Sequence, residues 1–347
     1  MMKKVTEWGG GGNLEKIFAE RLIGQPHVVD RIRPYVDIFL GRANAERRPV
    51  GTILLTGPTG VGKTHAVELT ALAMHGREQH YLRIDCGEFQ LEHEVAKLIG
   101  APPGYLGHRE TQPALNQAKL NSYTSDRCGM SILLFDEVEK AAPSFQRLLL
   151  GIMDRGTLKL GDNSSVNFEQ TLIFFTSNLG AQDILRSAGE RFGFVGDEPN
   201  EITPKEMERV CSAALKKHFA PEFLNRIDEH IPFRLLRKPE LLQIAKLCFV
   251  ELDKHLAARW GAQYQGLTVS PALVKELAAF AGPAWGAREL RRQIHRCVLT
   301  PLAQQFSRDN EFFSNGPVNI GGKLADIKIS QAKTQDQTSL VLTAKGE

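Results

Sequence analysis

The sequence predicts an α/β protein: a parallel sheet flanked by helices, followed by a small, mostly helical domain with a terminal β-hairpin. Three observations carry that reading. Short apolar runs of strand length alternate with stretches of helical periodicity. The run 132–135 is apolar throughout, as a strand buried on both faces must be. At 347 residues the chain is too long for one ordinary core.

From Asn13 the pattern is helical, with Leu14, Ile17, Phe18 and Leu22 at spacings of three and four. Ile23-Gly24-Gln25-Pro26 breaks it, and a second helix is expected from about Pro26 to Leu40. Residues 50–56 read as a buried strand and 63–75 as a helix. Residues 81–85, 132–135 and 171–176 read as further strands, and 231–233 as a short last one. After Leu236 the character changes: 239–260, 271–281 and 287–306 read as helices. Two alternating stretches, 325–329 and 339–342, close the chain. The expected division is an arm over 1–12, a large α/β domain over 13–236 and a small domain over 237–347.

Composition narrows the function. Apolar residues make up 42% and charged residues 24%, with a net charge of +3 from 43 basic and 40 acidic residues. So even a balance leaves no electrostatic footprint for nucleic acid or an anionic membrane. The five cysteines form no C-x-x-C pair, which fits reduced thiols in a cytoplasmic protein. No apolar run has the roughly 18 residues that span a bilayer. The opening MMKKVTEWGGGG lacks the apolar core of a secretory signal, and its glycines read as a flexible arm.

The chemistry is concentrated in a few motifs. Gly57-Pro58-Thr59-Gly60-Val61-Gly62-Lys63-Thr64 has the pattern of a phosphate-binding loop between a strand and a helix. Its glycines let the backbone curl around a polyphosphate, to which the next helix presents its positive end. Lys63 is expected on the β- and γ-phosphates of ATP and Thr64 on Mg²⁺. The apolar run 132–135 ends in Asp136-Glu137. Beside a phosphate loop, Asp136 suits Mg²⁺ and Glu137 suits the attacking water. Asn178 ends the next apolar run, where an amide could orient the same water or simply serve the turn. Arg226 and Arg288 could each stabilise charge on a γ-phosphate; a surface ion pair is the default for either taken alone. Tyr105, between Gly104 and Leu106-Gly107, could grip a passing polymer or anchor its own loop.

Taken together these residues resemble the AAA+ ATPase module of the Clp unfoldases, in particular the second module of ClpA, ClpB and ClpC. The matching stretches, in order, are Leu22-Ile23-Gly24-Gln25, GPTGVGKT, LIGAPPGYLG (98–107), LLFDEVEKA (133–141), FFTSNLG (174–180), FAPEFLNRID (219–228) and WGAREL (285–290). They span nearly the whole chain from about residue 13. The resemblance implies that Ile23 and Gly24 contact adenine and that Asn178 senses the γ-phosphate. It implies that Arg226 is a finger acting on the neighbouring subunit's ATP, and that Arg288 is a second sensor. Tyr105 and Leu106 fall on the pore loop that grips unfolded polypeptide in a hexameric ring.

The departures bear on substrate handling. Thr111-Gln112 stand where the family has a glycine pair, residues 116–130 look a few residues long, and 161–167 read Gly-Asp-Asn-Ser-Ser-Val-Asn where a second pore loop is expected. The resemblance covers one ATPase module, so a single-module ring former is expected. Phe192-Gly193-Phe194-Val195 is similar to the loop by which ClpA, ClpC and ClpX dock the ClpP peptidase; Glu190-Arg191-Phe192-Gly193 matches ClpB, which does not dock it. The leading expectation is an ATP-dependent protein unfoldase. The alternatives are a dedicated remodeller recruited by one partner, a nucleic-acid motor, which the charge balance and a pore loop centred on Tyr disfavour, and a non-hydrolysing scaffold.

Overall fold

The computed structural model describes residues 10–43, 47–100, 113–190, 203–261, 264–308, 316–324, 326–331 and 340–341. The chain divides into two compact units. The first comprises Met1–Pro58 and Gly62–Arg234, the second Thr59–Val61 and Leu235–Glu347.

The first unit opens with α1 (Gly10–Arg21), which starts inside the glycine run rather than at Asn13, and α2 (His27–Leu40). It continues through β1 (Gly51–Thr56), α3 (Lys63–His75), β2 (Leu82–Asp85), α4 (Val95–Ile99), α5 (Gln117–Asn121) and β3 (Ser131–Asp136). Then come α6 (Pro143–Arg155), a hairpin of β4 (Thr157–Lys159) and β5 (Ser165–Asn167), and β6 (Thr171–Ser177). Helices α7 (Ala181–Glu190), α8 (Pro204–His218) and α9 (Pro221–Leu224) lead to β7 (Glu229–Pro232). Each strand expected in this unit is present, to within two residues at either end.

Local chemistry sets these boundaries. Helix α6 begins with Pro143 in its first turn and stops at Gly156, whose φ of 60° suits a residue without Cβ. Helix α8 opens on a reciprocal Thr203–Glu206 capping box and ends on Lys216, Lys217 and His218, which complement its dipole.

The sheet order is β2-β3-β6-β1-β7, and every neighbouring pair is parallel. β1, β3 and β6 are buried along their whole length, with apolar centres and glycine, small polar residues or an acid at their ends. Phe135 and Phe175 stack at 5.4 Å across adjacent strands, and Phe145 and Phe223 meet them edge-on. The three central strands therefore end at one edge of the sheet, held by a rigid aromatic core. In an open α/β sheet that carboxyl edge is where ligands bind.

The second unit packs α10 (Lys238–Trp260) against α11 (Pro271–Ile294), which continues through a π-turn, His295–Leu299, into α12 (Thr300–Arg308). Positive φ at Gly282 and Gly286 interrupts α11, which explains why its sequence reads as two helices. A four-stranded sheet completes the unit: β8 (Leu267–Val269), β9 (Val318–Lys323), β10 (Asp326–Gln331) and β11 (Leu340–Val341). The terminal hairpin is β9 with β10, while Leu340–Val341 pairs with β8.

Candidate functional site

The candidate site lies at the carboxyl ends of β1, β6 and β3. β1 runs into the glycine loop, where Gly57, Gly60 and Gly62 have φ of 137°, 80° and 108°. At Gly57 the constraint is double, because an added Cβ would lie 2.5 Å from the Phe233 carbonyl oxygen. Helix α3 starts at Lys63 with Gly62 as N-cap and no side-chain cap, so its first amides are left for an anion. Thr64 follows in the same first turn.

Lys63 is buried. Its ammonium donates to the carbonyls of Gly57 (2.6 Å) and Pro58 (2.8 Å) and to Asn178 Oδ1 (2.9 Å). Asn178 Nδ2 donates to Glu137 Oε1 at 3.0 Å. A cation on one side and a carboxylate on the other fix the orientation of the amide. The Asn178 N–H donates to Glu139 Oε1 at 2.9 Å, and the other Glu139 oxygen is buried without a partner. Glu137 also pairs with Lys140. Its backbone is left-handed, φ 56° and ψ 50°, an uncommon state for a residue with a side chain.

Thr176, on the middle strand, organises both acids. Its hydroxyl donates to Asp136 Oδ1 and accepts the Glu137 N–H at 2.9 Å. Asp136 Oδ2 accepts from Arg83 on β2 at 2.5 Å. Thus Lys63, Asp136, Glu137 and Asn178 form one hydrogen-bonded constellation. Sequence reasoning missed Thr176, Arg83, Glu139 and Lys140. A polar residue inside the apolar run Phe174-Phe175-Thr176 was the available signal for the first.

Deeper in the sheet, the Thr56 hydroxyl meets His230 Nε2 at 2.8 Å. Burial, aided by Arg31, pushes the His230 pKa down to about 4. At the far end of α3, burial likewise lowers His75 to about 4. Both imidazoles are neutral at pH 7.

Ile23 and Gly24 lie in the turn between α1 and α2, where Gly24 has φ 83°. That turn is pinned by Gln25, whose side chain donates to the Arg234 carbonyl at 2.8 Å and accepts the Arg234 N–H at 3.2 Å.

Arg226 lies apart from the constellation. Its guanidinium donates to Asp154 on α6 at 2.6 Å and to the Glu222 carbonyl at 2.8 Å. Its segment is fastened to the start of β1: the Thr52 hydroxyl donates to the Arg226 carbonyl at 2.7 Å, and Asp228 accepts the Thr52 N–H at 2.8 Å. Arg288 lies on α11 in the second unit. Tyr105, Leu106 and Phe192-Gly193-Phe194-Val195 lie outside the described residues.

The residues present fit a magnesium nucleotide. The loop is glycine wherever φ is positive, an uncapped helix start follows it, and a buried ammonium and a buried carboxylate, Lys63 and Asp136, sit on neighbouring segments. Among the described residues no cluster of three or more His, Cys, Asp or Glu could hold a metal by itself. No helix among them is long and apolar enough to cross a membrane.

Known proteins place this geometry. Residues 48–230 match the family described as AAA domain (Cdc48 subfamily), and 236–320 match the C-terminal D2-small domain of ClpB protein. The chain is 34% identical over 297 residues to the chaperone protein ClpB of Leptolyngbya boryana, covering 86% of this chain and 32% of that one. It is 37% identical over 301 residues to the ATP-dependent Clp protease ATP-binding subunit ClpE of Bacillus subtilis, covering 87% and 40%. Among solved structures it superposes on a chain of the S. cerevisiae Hsp104:casein complex with a TM-score of 0.73 and 25% identity, covering 89% of this chain and 49% of that one. The chain thus spans a third or so of the curated relatives it matches. The chain belongs to the AAA+ ATPase family, as an AAA domain joined to a small domain of the ClpB type.

Proposed function

We propose that this chain hydrolyses ATP and uses the energy to remodel proteins, threading polypeptide through a ring of copies of itself. The observation that carries hydrolysis is the bonded series Lys63–Asn178–Glu137 beside Asp136–Thr176. Asn178 touches both the ammonium suited to a γ-phosphate and the carboxylate suited to polarise water. With a phosphate on Lys63, Asn178 would be placed to face the same phosphate, and Glu137, paired with Lys140, to orient the water. Thr64 and Asp136 would hold Mg²⁺, which neutralises phosphate charge. Ile23 and Gly24 would contact adenine, with Pro58, Thr59, Gly60, Val61 and Gly62 around the phosphates. The rest of the chemistry is positioning, which the rigid edge of the sheet supplies.

Remodelling is supported by the relatives, chaperone proteins and a protease ATP-binding subunit by name, and by a neighbour solved with casein. Arg226, separate from its own site, would reach the next subunit's nucleotide, and Arg288 would report nucleotide to the small domain, with the domains meeting near residue 236. Tyr105 and Leu106 would grip the substrate. A homo-oligomer follows from the trans role of Arg226, and its hexameric form from the resemblance to the Clp unfoldases. A cytoplasmic location completes the reading; docking of a ClpP-like peptidase through Phe192–Val195 is the lesser alternative to a ClpB-like chain that docks none.

The test is a substrate-unfolding assay alongside ATP turnover. Tyr105→Ala should spare most turnover and abolish unfolding of a tagged model protein. Threading that survives the change would overturn the pore assignment. If generic substrates are ignored while a Glu137→Gln trap retains one cellular protein, the chain is a dedicated remodeller instead.

A further inference from the structure

We propose that Arg83 competes with the magnesium ion for Asp136 and so sets the magnesium concentration the protein needs. The inference rests on the reading of Asp136 as a metal-side carboxylate.

Both oxygens of Asp136 are engaged: Oδ1 by the Thr176 hydroxyl and Oδ2 by Arg83 Nη2 at 2.5 Å. The two partners differ in what holds them. Thr176 is buried on the middle strand and also accepts the Glu137 N–H, so releasing Asp136 would disturb both acids. Arg83 stands on β2, at the edge of the sheet, with 53% of its side chain exposed, against 11% for Asp136. A long, half-solvated guanidinium has other places to go. Arg83 neutralises a carboxylate that would otherwise be buried with its charge uncompensated. A divalent cation brings the same sign of charge to the same oxygens, and the two repel at this range. Arg83 therefore withdraws when the metal arrives, and its attraction to Asp136 is subtracted from metal affinity. A purely structural Arg83 would leave magnesium dependence untouched.

The experiment titrates MgCl₂ against the full chain holding a fluorescent ADP analogue, and follows the metal-dependent tightening of the analogue. Steady-state turnover against magnesium at saturating ATP is a second reading. Arg83→Gln should lower the half-saturating magnesium by about threefold or more, the scale of a partly exposed ion pair. Arg83→Lys should fall between it and the parent. Affinity for the analogue in EDTA should stay within about twofold, which also reports that the variants fold. Asp136→Asn separates the failures. If Asp136→Asn raises the magnesium requirement while neither Arg83 variant lowers it, the competition is wrong and the metal reading stands. If Asp136→Asn leaves the requirement unchanged, Asp136 does not serve the metal and both ideas fall.

Discussion

The two places proposed to present charge to a nucleotide are built differently. At the carboxyl edge of the sheet, Lys63 and Asp136 are buried, and Thr176 and Asn178 tie them and Glu137 into one network. At the Arg226 segment the backbone is fastened as firmly, to Thr52, but the guanidinium is about a third exposed and rests on a half-exposed Asp154. Of the groups proposed to act within their own subunit, Lys63 and Asp136 are held by burial, while Glu137 and Asn178 are partly exposed and are held by the network. The group proposed to act on a neighbour has a fixed root and a loosely held tip. Membership of the shared network, more than burial, thus separates the residues proposed to complete a site in place from the one proposed to reach out.

That contrast breaks most decisively by mixing. Glu137→Gln and Arg226→Ala should each lower ATP turnover by about 10²-fold or more, with nucleotide binding retained. Combined before assembly, they should recover turnover, because a Glu137→Gln subunit still offers its arginine to an Arg226→Ala neighbour. Mixtures as inactive as either parent would put Arg226 back in its own subunit.

The next effect tests whether the sheet region is as dry as its bonds suggest. His75 and His230 have pKa values pushed down to about 4 from 6.5, so the unfolded chain binds protons that the folded chain refuses. The stability they contribute is complete above about pH 6.5 and drains as pH falls toward 4, by on the order of 2–3 kcal/mol for each. Denaturant midpoints measured from pH 7 to pH 4.5 should fall, and His75→Gln should flatten the slope. A flat profile in the parent would mean that water reaches these rings.

A smaller change sharpens the role of the middle strand. Thr176→Val keeps the shape, but loses the donor to Asp136 and the acceptor for the Glu137 N–H. It should lower kcat by about tenfold with little change in KM, and Thr176→Ser should restore most of it. A loss confined to KM would mean that Thr176 serves binding and not the geometry of the acids. The smallest effect belongs to the tip of Arg226. Asp154→Asn should shift the thermal midpoint by about 1 °C or less, as expected for an exposed pair; a large drop would show that the pair is structural.

Much of this was legible in the sequence because the physics was local. Burial on both faces demands continuous apolar runs, so 50–56, 132–135 and 171–176 announced their strands, and glycines at fixed spacing announced the loop. The hidden parts depend on register. Arg83 reaches Asp136 because β2 lies beside β3 with Asp85 opposite Asp136, which no local pattern records. Leu267–Val269 is three residues long, and Val318–Lys323 carries Gly321-Gly322, so neither has the length or side chains of a confident strand. The break in α11 at Gly282 and Gly286 was legible, since the sequence reads as separate helices over 271–281 and 287–306.

Strand β1 is six residues long, about 20 Å of extended chain. Thr52, near its start, grips the Arg226 segment, and Thr56, at its end, opens into the phosphate loop. On the proposed reading this strand is a short push-rod between two clients: the nucleotide of its own subunit at one end and that of the next at the other. Strain at either end is felt at the other through a single length of backbone. Around a ring, such rods laid end to end would give successive firing an order without any dedicated signalling element.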